Sequence, residues 1–189
     1  MDNWQDCIVS HFDLIGIKKL IVSGDKKATH TMRLFHTLVY KRINCDMPAH
    51  QNVYVWNDSA TFLSCPKNIR DYKTIMSELN ALKPLVDDIC PCYAICIKGQ
   101  IIPEPACGYG TETNGQPRFV FIKASSYAFA NCFEVEKELC KKRGLKTDWY
   151  VDSRIARKIS SFPKGKRYYV NMLPSGRKRF IHVHRGLLW

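Results

Sequence analysis

The chain has 189 residues and a formal net charge of +12, with 29 Lys and Arg against 17 Asp and Glu. That length supports one sizeable core rather than two comfortable domains, and 46% hydrophobic with 24% charged residues excludes a disordered chain. No apolar run reaches the ~18 residues of a membrane span, and Asp2, Gln5 and Asp6 break any apolar signal core, so a cytosolic protein with no membrane partner is expected.

The pattern alternates strand and helix. Residues 7–17 read as a strand ending near Gly16, with Asp13 inside Phe12-Asp13-Leu14-Ile15-Gly16-Ile17. Residues 18–25 fit a loop or short helix. Residues 28–43 read as a helix, with Met32, Phe35, Val39 and Ile43 at helical spacing. Residues 52–56 and 59–64 form two strands around a tight Asn57-Asp58 turn. A second helix covers 68–85, with Ile75, Leu79 and Leu82 on its buried face and Pro84 near its end.

Residues 93–97 and 101–102 look like strands around Lys98-Gly99-Gln100. A Gly- and Pro-rich loop runs from 103 to 117, and 118–123 is strand again. The helix at 125–143 places Ala128, Cys132, Val135 and Leu139 on one stripe, and Gly144 closes it. Late strands are expected at 149–151, 168–173 and 179–184, the last two as a hairpin around Pro174-Ser175-Gly176. The order β-α-β-β-α-β followed by an extension is the α+β, ferredoxin-like plan. Helices cover one face of an antiparallel sheet, and a β extension follows at the C-terminus.

The nine cysteines are odd in number and several sit in apolar runs. No paired C-x-x-C spacing supplies a zinc site, so buried, reduced thiols are expected. His182 and His184 share a face of the last strand but lack a third ligand. The basic excess lies after residue 140, in Lys141-Lys142-Arg143, Arg154, Arg157-Lys158, Lys164-Gly165-Lys166-Arg167 and Arg177-Lys178-Arg179. Such a field favours a polyanion, which is met by a nucleic acid or by a triphosphate.

Asp13 and Asp58 are the chemically informative residues. Each interrupts a run with strand character, where an unmet carboxylate is costly. The plan makes their strands neighbours, so the two acids converge at the sheet centre. Paired hard oxygen ligands suit Mg²⁺ or Mn²⁺ carrying a nucleoside triphosphate.

Phe12-Asp13-Leu14-Ile15-Gly16-Ile17 resembles the first metal-binding strand of class III nucleotidyl cyclases, and Asp58 on the strand-strand turn is similar to the second metal aspartate of that family. The resemblance implies a single cyclase-like domain over residues 1–189. It implies a homodimer with active sites at the interface, and two Mg²⁺ or Mn²⁺ ions held by Asp13, Asp58 and the Leu14 carbonyl. Adenylate cyclases carry a base-reading lysine four residues before the second aspartate. Here that residue is Tyr54, which resembles the bacterial pyrimidine cyclases of Pycsar anti-phage defence, as does the segment 124–134 with Ala130 and Glu134.

Lys166, with Arg167 beside it, is similar to the family lysine that holds the triphosphate. Purine cyclases have an asparagine and an arginine on the helix at the positions of Ala128 and Cys132, so both transition-state groups are absent on that alignment. Asn131 substitutes only if the register shifts by three. The implied activity converts UTP or CTP to the 3′,5′-cyclic monophosphate and pyrophosphate, and the product acts on a separate effector.

Two alternatives stay open. One is a purine cyclase. The other is a basic nucleic-acid-binding module without catalysis, stacking bases on Trp149, Tyr150, Tyr168 and Tyr169. A diguanylate cyclase is disfavoured because Trp56-Asn57-Asp58-Ser59 replaces the Gly-Gly-acidic turn such enzymes carry.

Overall fold

A computed structural model describes residues 4–185, apart from 51, 104–106, 112–116, 122–123, 164 and 173–176. In chain order the elements are β1 (Gln5–Leu14), α1 (Ile17–Val22), α2 (Lys26–Asp46), β2 (Asn52–Trp56), β3 (Ser59–Ser64), α3 (Ile69–Asp87), β4 (Cys92–Pro103), β5 (Cys107–Thr111), β6 (Pro117–Phe121), β7 (Ala124–Ser126), α4 (Tyr127–Arg143), β8 (Asp148–Asp152), α5 (Ser153–Ala156), β9 (Lys166–Met172) and β10 (Arg177–Arg185).

Seven strands form the main sheet in the order β2-β3-β1-β4-β8-β10-β9, β7 adds to β4, and β5 pairs with β6 separately. The first four strands have the β2-β3-β1-β4 order of the ferredoxin-like plan, all antiparallel, while β4 and β8 run parallel.

Strand periodicity divides β1 between two cores. Ile8, Phe12 and Leu14 pack with Phe35 and Val39 of α2 and Ile75, Met76 and Leu79 of α3. Cys7 and Val9 point the other way, with Ile95 and Ile97 of β4, and are covered by Ala128, Cys132, Val135 and Leu139 of α4. The long helices α2 and α3 thus share one face, as expected, and α4 lies on the opposite one.

Local chemistry sets the boundaries. Gly16 has φ +90°, a left-handed turn out of β1 into α1 that a side chain would resist. The Asp25 carboxylate accepts from Lys27 N–H at 2.8 Å and starts α2. Asn68 and Asp71 form a reciprocal capping box at the start of α3.

Three differences from the sequence reading stand out. Residues 92–103 form one continuous strand, because Gly99 lies beneath α4 rather than marking a turn: a Cβ there would meet Ala128 Cβ at 2.5 Å. The region read as a loop contains β5, which is stabilised by pairing with β6. Residues 124–126 pair with β4 before α4 begins at Tyr127. The β9–β10 hairpin forms, and its expected turn at 174–176 lies outside the described residues. Cys7, Cys45, Cys65, Cys90, Cys92, Cys96, Cys132 and Cys140 are free thiols. No helix among the described residues is long and apolar enough to cross a membrane.

Candidate active site

Asp13 occupies the C-terminal end of β1, directly opposite Ser59 of β3. Asp58 precedes Ser59 in the two-residue β2–β3 turn, made possible by Asn57 at φ 49°. The Leu14 N–H donates to the Asp58 carbonyl at 2.9 Å, and the Ile15 N–H donates to the Pro91 carbonyl at 2.7 Å. These bonds pin the strand end on both sides and bring the two acids to one edge of the sheet.

Cross-strand register then builds two rows on the α4 face. Trp56, Ser59, Asp13 and Tyr93 form the first, and Tyr54, Thr61, His11 and Ile95 form the second. Glu136 of α4 meets these rows from above. Tyr93 Oη donates to Glu136 Oε1 at 2.6 Å. His11 Nδ1 bonds Thr61 Oγ1 at 2.8 Å, while His11 Nε2 lies 3.9 Å from both Asp13 Oδ2 and Glu136 Oε2. Phe133 covers the His11 ring edge-on, with centroids 5.4 Å apart.

Electrostatics at this edge are unfavourable to an unneutralised anion. Burial raises the Asp13 pKa to about 7, and repulsion from Asp58 and Glu136 adds to that, against a smaller opposing effect of the Tyr93 hydrogen bond and Lys18. Burial lowers His11 to about 4, so its imidazole is neutral. Burial, followed by the nearby Asp13 and Glu136 charges, pushes the Tyr93 hydroxyl up, keeping it a hydrogen-bond donor. A divalent cation at this edge would relieve the repulsion that Asp13 experiences, so the donor set fits one.

Tyr54 is half-buried in the second row. Its ring stands edge-on to Phe129 of α4 at 5.4 Å, and burial raises its hydroxyl pKa. Lys166 and Arg167 are exposed on β9, the far edge strand. Four strand spacings separate β9 from β1, roughly 19 Å at about 4.8 Å each, so a single chain does not bring these two residues to Asp13. Lys166 Nζ instead lies over the Tyr168 ring at 5.4 Å.

Asn131 lines a polar pocket with Lys98, Gly99, Gln100, Tyr127, Arg154 and Arg179, at the other end of β4. Arg179 acts electrostatically on Cys132 of α4. Of the aromatic residues considered for base stacking, Trp149 and Tyr150 are fully buried, which removes them from any nucleic-acid surface.

The sequence pattern assigns no site role to His11, Tyr93 or Glu136. His11 was legible, because residues two apart on a strand share a face and Asp13 follows it by two. Glu136 follows Val135 of the buried stripe and lies four residues after Cys132, yet only the packing of α4 aims it at β1. Glu134, the acid noted earlier, points elsewhere and lies 3.9 Å from Lys137.

No family sequence model matches the chain, and no curated protein is similar to it in sequence. Solved structures are similar in fold. The guanylyl cyclase Cya2 aligns with a TM-score of 0.66 at 9% identity, over 98% of this chain and 94% of that one. The guanylate cyclase domain of RhGC from Catenaria anguillulae aligns at 0.64 with 8% identity, over 97% of each chain. The adenylyl cyclase CyaB from P. aeruginosa aligns at 0.61 with 9% identity, over 98% of each. The chain therefore has the fold of class III nucleotidyl cyclase catalytic domains, with its two aspartates on the turn-side edge of β1 and β3.

Proposed function

We propose that this chain is a nucleotidyl cyclase acting on a pyrimidine triphosphate, UTP or CTP, as a homodimer. The observation that carries the reading is the placement of Asp13 and Asp58 at one sheet edge on a cyclase fold, tied by the Leu14-to-Asp58 backbone bond. Two Mg²⁺ or Mn²⁺ ions, when bound, would acidify the ribose 3′-hydroxyl and neutralise the pyrophosphate leaving group. Asp13 and Asp58 would hold them, with the Leu14 carbonyl as a third donor.

Tyr54 shares the sheet face of Asp13 and presents an aromatic ring with a hydroxyl, suited to reading a base. Lys166 and Arg167 reach a triphosphate only across an interface, which favours a second copy supplying them as charge-assisted phosphate donors. The resemblance of Tyr54 and segment 124–134 to the Pycsar enzymes adds that the cyclic product acts on a separate effector in antiviral defence.

A purine triphosphate is the competing substrate, favoured by the guanylyl and adenylyl cyclases among the structural neighbours. Incubating the protein with each of the four NTPs and Mn²⁺, with products resolved by mass, separates the readings. Cyclic UMP or cyclic CMP is expected. Cyclic GMP or cyclic AMP would move the assignment to a purine cyclase, and no turnover of any triphosphate would end the cyclase reading.

A further inference from the structure

We propose that the chain holds a transition-metal ion within one protomer, bound by His11, Asp13 and Glu136. One imidazole nitrogen and two carboxylate oxygens from these residues lie within 4.8 Å of one another, across β1 and α4. His11 is only 3% exposed, and its Nε2 is 3.9 Å from each carboxylate oxygen. Those gaps are too long for hydrogen bonds. Donors each bound at about 2.0–2.2 Å to one ion stand at most about 4 Å apart, so a small contraction closes the site.

The surrounding bonds are those of a ligand set already oriented. Thr61 Oγ1 engages His11 Nδ1 at 2.8 Å, which leaves Nε2 aimed at the two acids. Tyr93 donates to Glu136 Oε1 at 2.6 Å, which leaves Oε2 facing the imidazole. Outer hydrogen bonds of this type fix the tautomer and direction of metal ligands. An imidazole with two carboxylates selects Zn²⁺, Co²⁺ or Mn²⁺ over Mg²⁺, since nitrogen is a poor ligand for the harder ion.

The site shares Asp13 with the proposed cyclase ion pair but does not rest on that reading. It needs neither Asp58, nor a second copy, nor a nucleotide.

The test is Co²⁺ titration of the full-length, reduced, chelator-treated protein, followed by its visible absorption and by thermal melting. Thiolate charge-transfer bands would identify binding to the cysteines instead. One Co²⁺ per chain with a nitrogen-oxygen spectrum is expected, together with a raised melting temperature. Affinity should fall on the order of tenfold or more in both His11→Gln and Glu136→Gln, and stay within about threefold in His30→Gln, a change at an exposed residue of α2.

Glu136→Gln keeps an acceptor for Tyr93 and is the variant that reads the site if His11→Gln fails to fold. Absent binding, purely thiolate bands, or affinity unchanged in Glu136→Gln would overturn the proposal. A chain that binds Co²⁺ here yet turns over no triphosphate would sink the cyclase reading and leave this one standing. Turnover with no such Co²⁺ site would do the reverse.

Discussion

Leu14 donates its backbone N–H to the backbone carbonyl of Asp58 at 2.9 Å, so the residue after the first aspartate is bonded to the residue that is the second. Main-chain geometry, not side-chain packing, therefore sets the spacing of the two acids. Asp13→Ala and Asp58→Ala are expected to leave the fold intact and to reduce cyclase kcat/KM on the order of a thousandfold, as several kcal/mol of transition-state stabilisation is lost. Steady-state rates beside melting curves check this. Retained turnover in either variant would detach catalysis from these carboxylates.

Tyr54 is expected to govern base choice rather than rate. Tyr54→Lys should narrow the ratio of pyrimidine to purine kcat/KM by on the order of tenfold, which is about 1.4 kcal/mol. The measurement is competition among the four NTPs. An unchanged ratio would leave Tyr54 as a residue packed on Phe129.

Gly99 lets α4 lie directly on β4. A Cβ at this position would stand 2.5 Å from Ala128 Cβ and 2.8 Å from Ala128 Cα, with backbone unable to yield cheaply. Gly99→Ala should cost about 1–3 kcal/mol by overpacking. Because α4 also carries Glu136, the same change should weaken Co²⁺ binding. Urea denaturation of the variant gives the stability term directly.

Asp152 is fully buried and organises part of the basic excess. Its carboxylate lies 2.9 Å from Arg154 Nη2 and 3.5 Å from Arg179 Nη1, and it accepts from the Lys98 N–H at 3.3 Å. Arg154 also donates to the Lys98 carbonyl. Asp152→Ala removes the buried anion that both guanidinium groups face and should cost about 3–5 kcal/mol. A smaller loss than in Gly99→Ala would show that solvent already screens the cluster.

His50 links stability to pH. It is buried, with Nδ1 bonded to Ser64 Oγ at 2.7 Å, Nε2 3.4 Å from Glu78 Oε2 and Phe62 edge-on at 5.2 Å. Burial lowers its pKa from 6.5 to about 4. Between those values the unfolded chain binds a proton that the folded chain refuses, so stability falls as pH drops from about 6.5 towards 4. Burial raises the neighbouring Glu78, whose contribution runs the opposite way. Comparing His50→Gln with the parent isolates the histidine: the parent's advantage should shrink by roughly 2 kcal/mol between pH 7 and 4.5. A constant difference across that range would contradict the assignment.

Much of this molecule could be read from local pattern. Alternation of Val53 and Val55 with Tyr54 and Trp56 marks β2, runs with strand character mark β1 and β3, and helical spacing of Phe35, Val39, Ile75 and Leu79 marks α2 and α3. The β-α-β-β-α-β order then places β1 beside β3, because short antiparallel connections leave few topologies. The positions of the two acids follow from the same pattern: Asp13 stands out between the apolar Phe12 and Leu14, and Asp58 falls in the short turn between two strands.

What depended on distant parts of the chain could not be read this way. Gly99 looks like a turn until α4 is seen pressing on it. The extended pairing of β5 needs β6. Glu136 becomes part of the Asp13 edge only because α4 packs on the face opposite α2 and α3, and Lys166 and Arg167 are removed from it by four intervening strand spacings. Local order follows from nearest neighbours along the backbone, whereas the site's charges are set by burial and by groups brought together from more than a hundred residues apart.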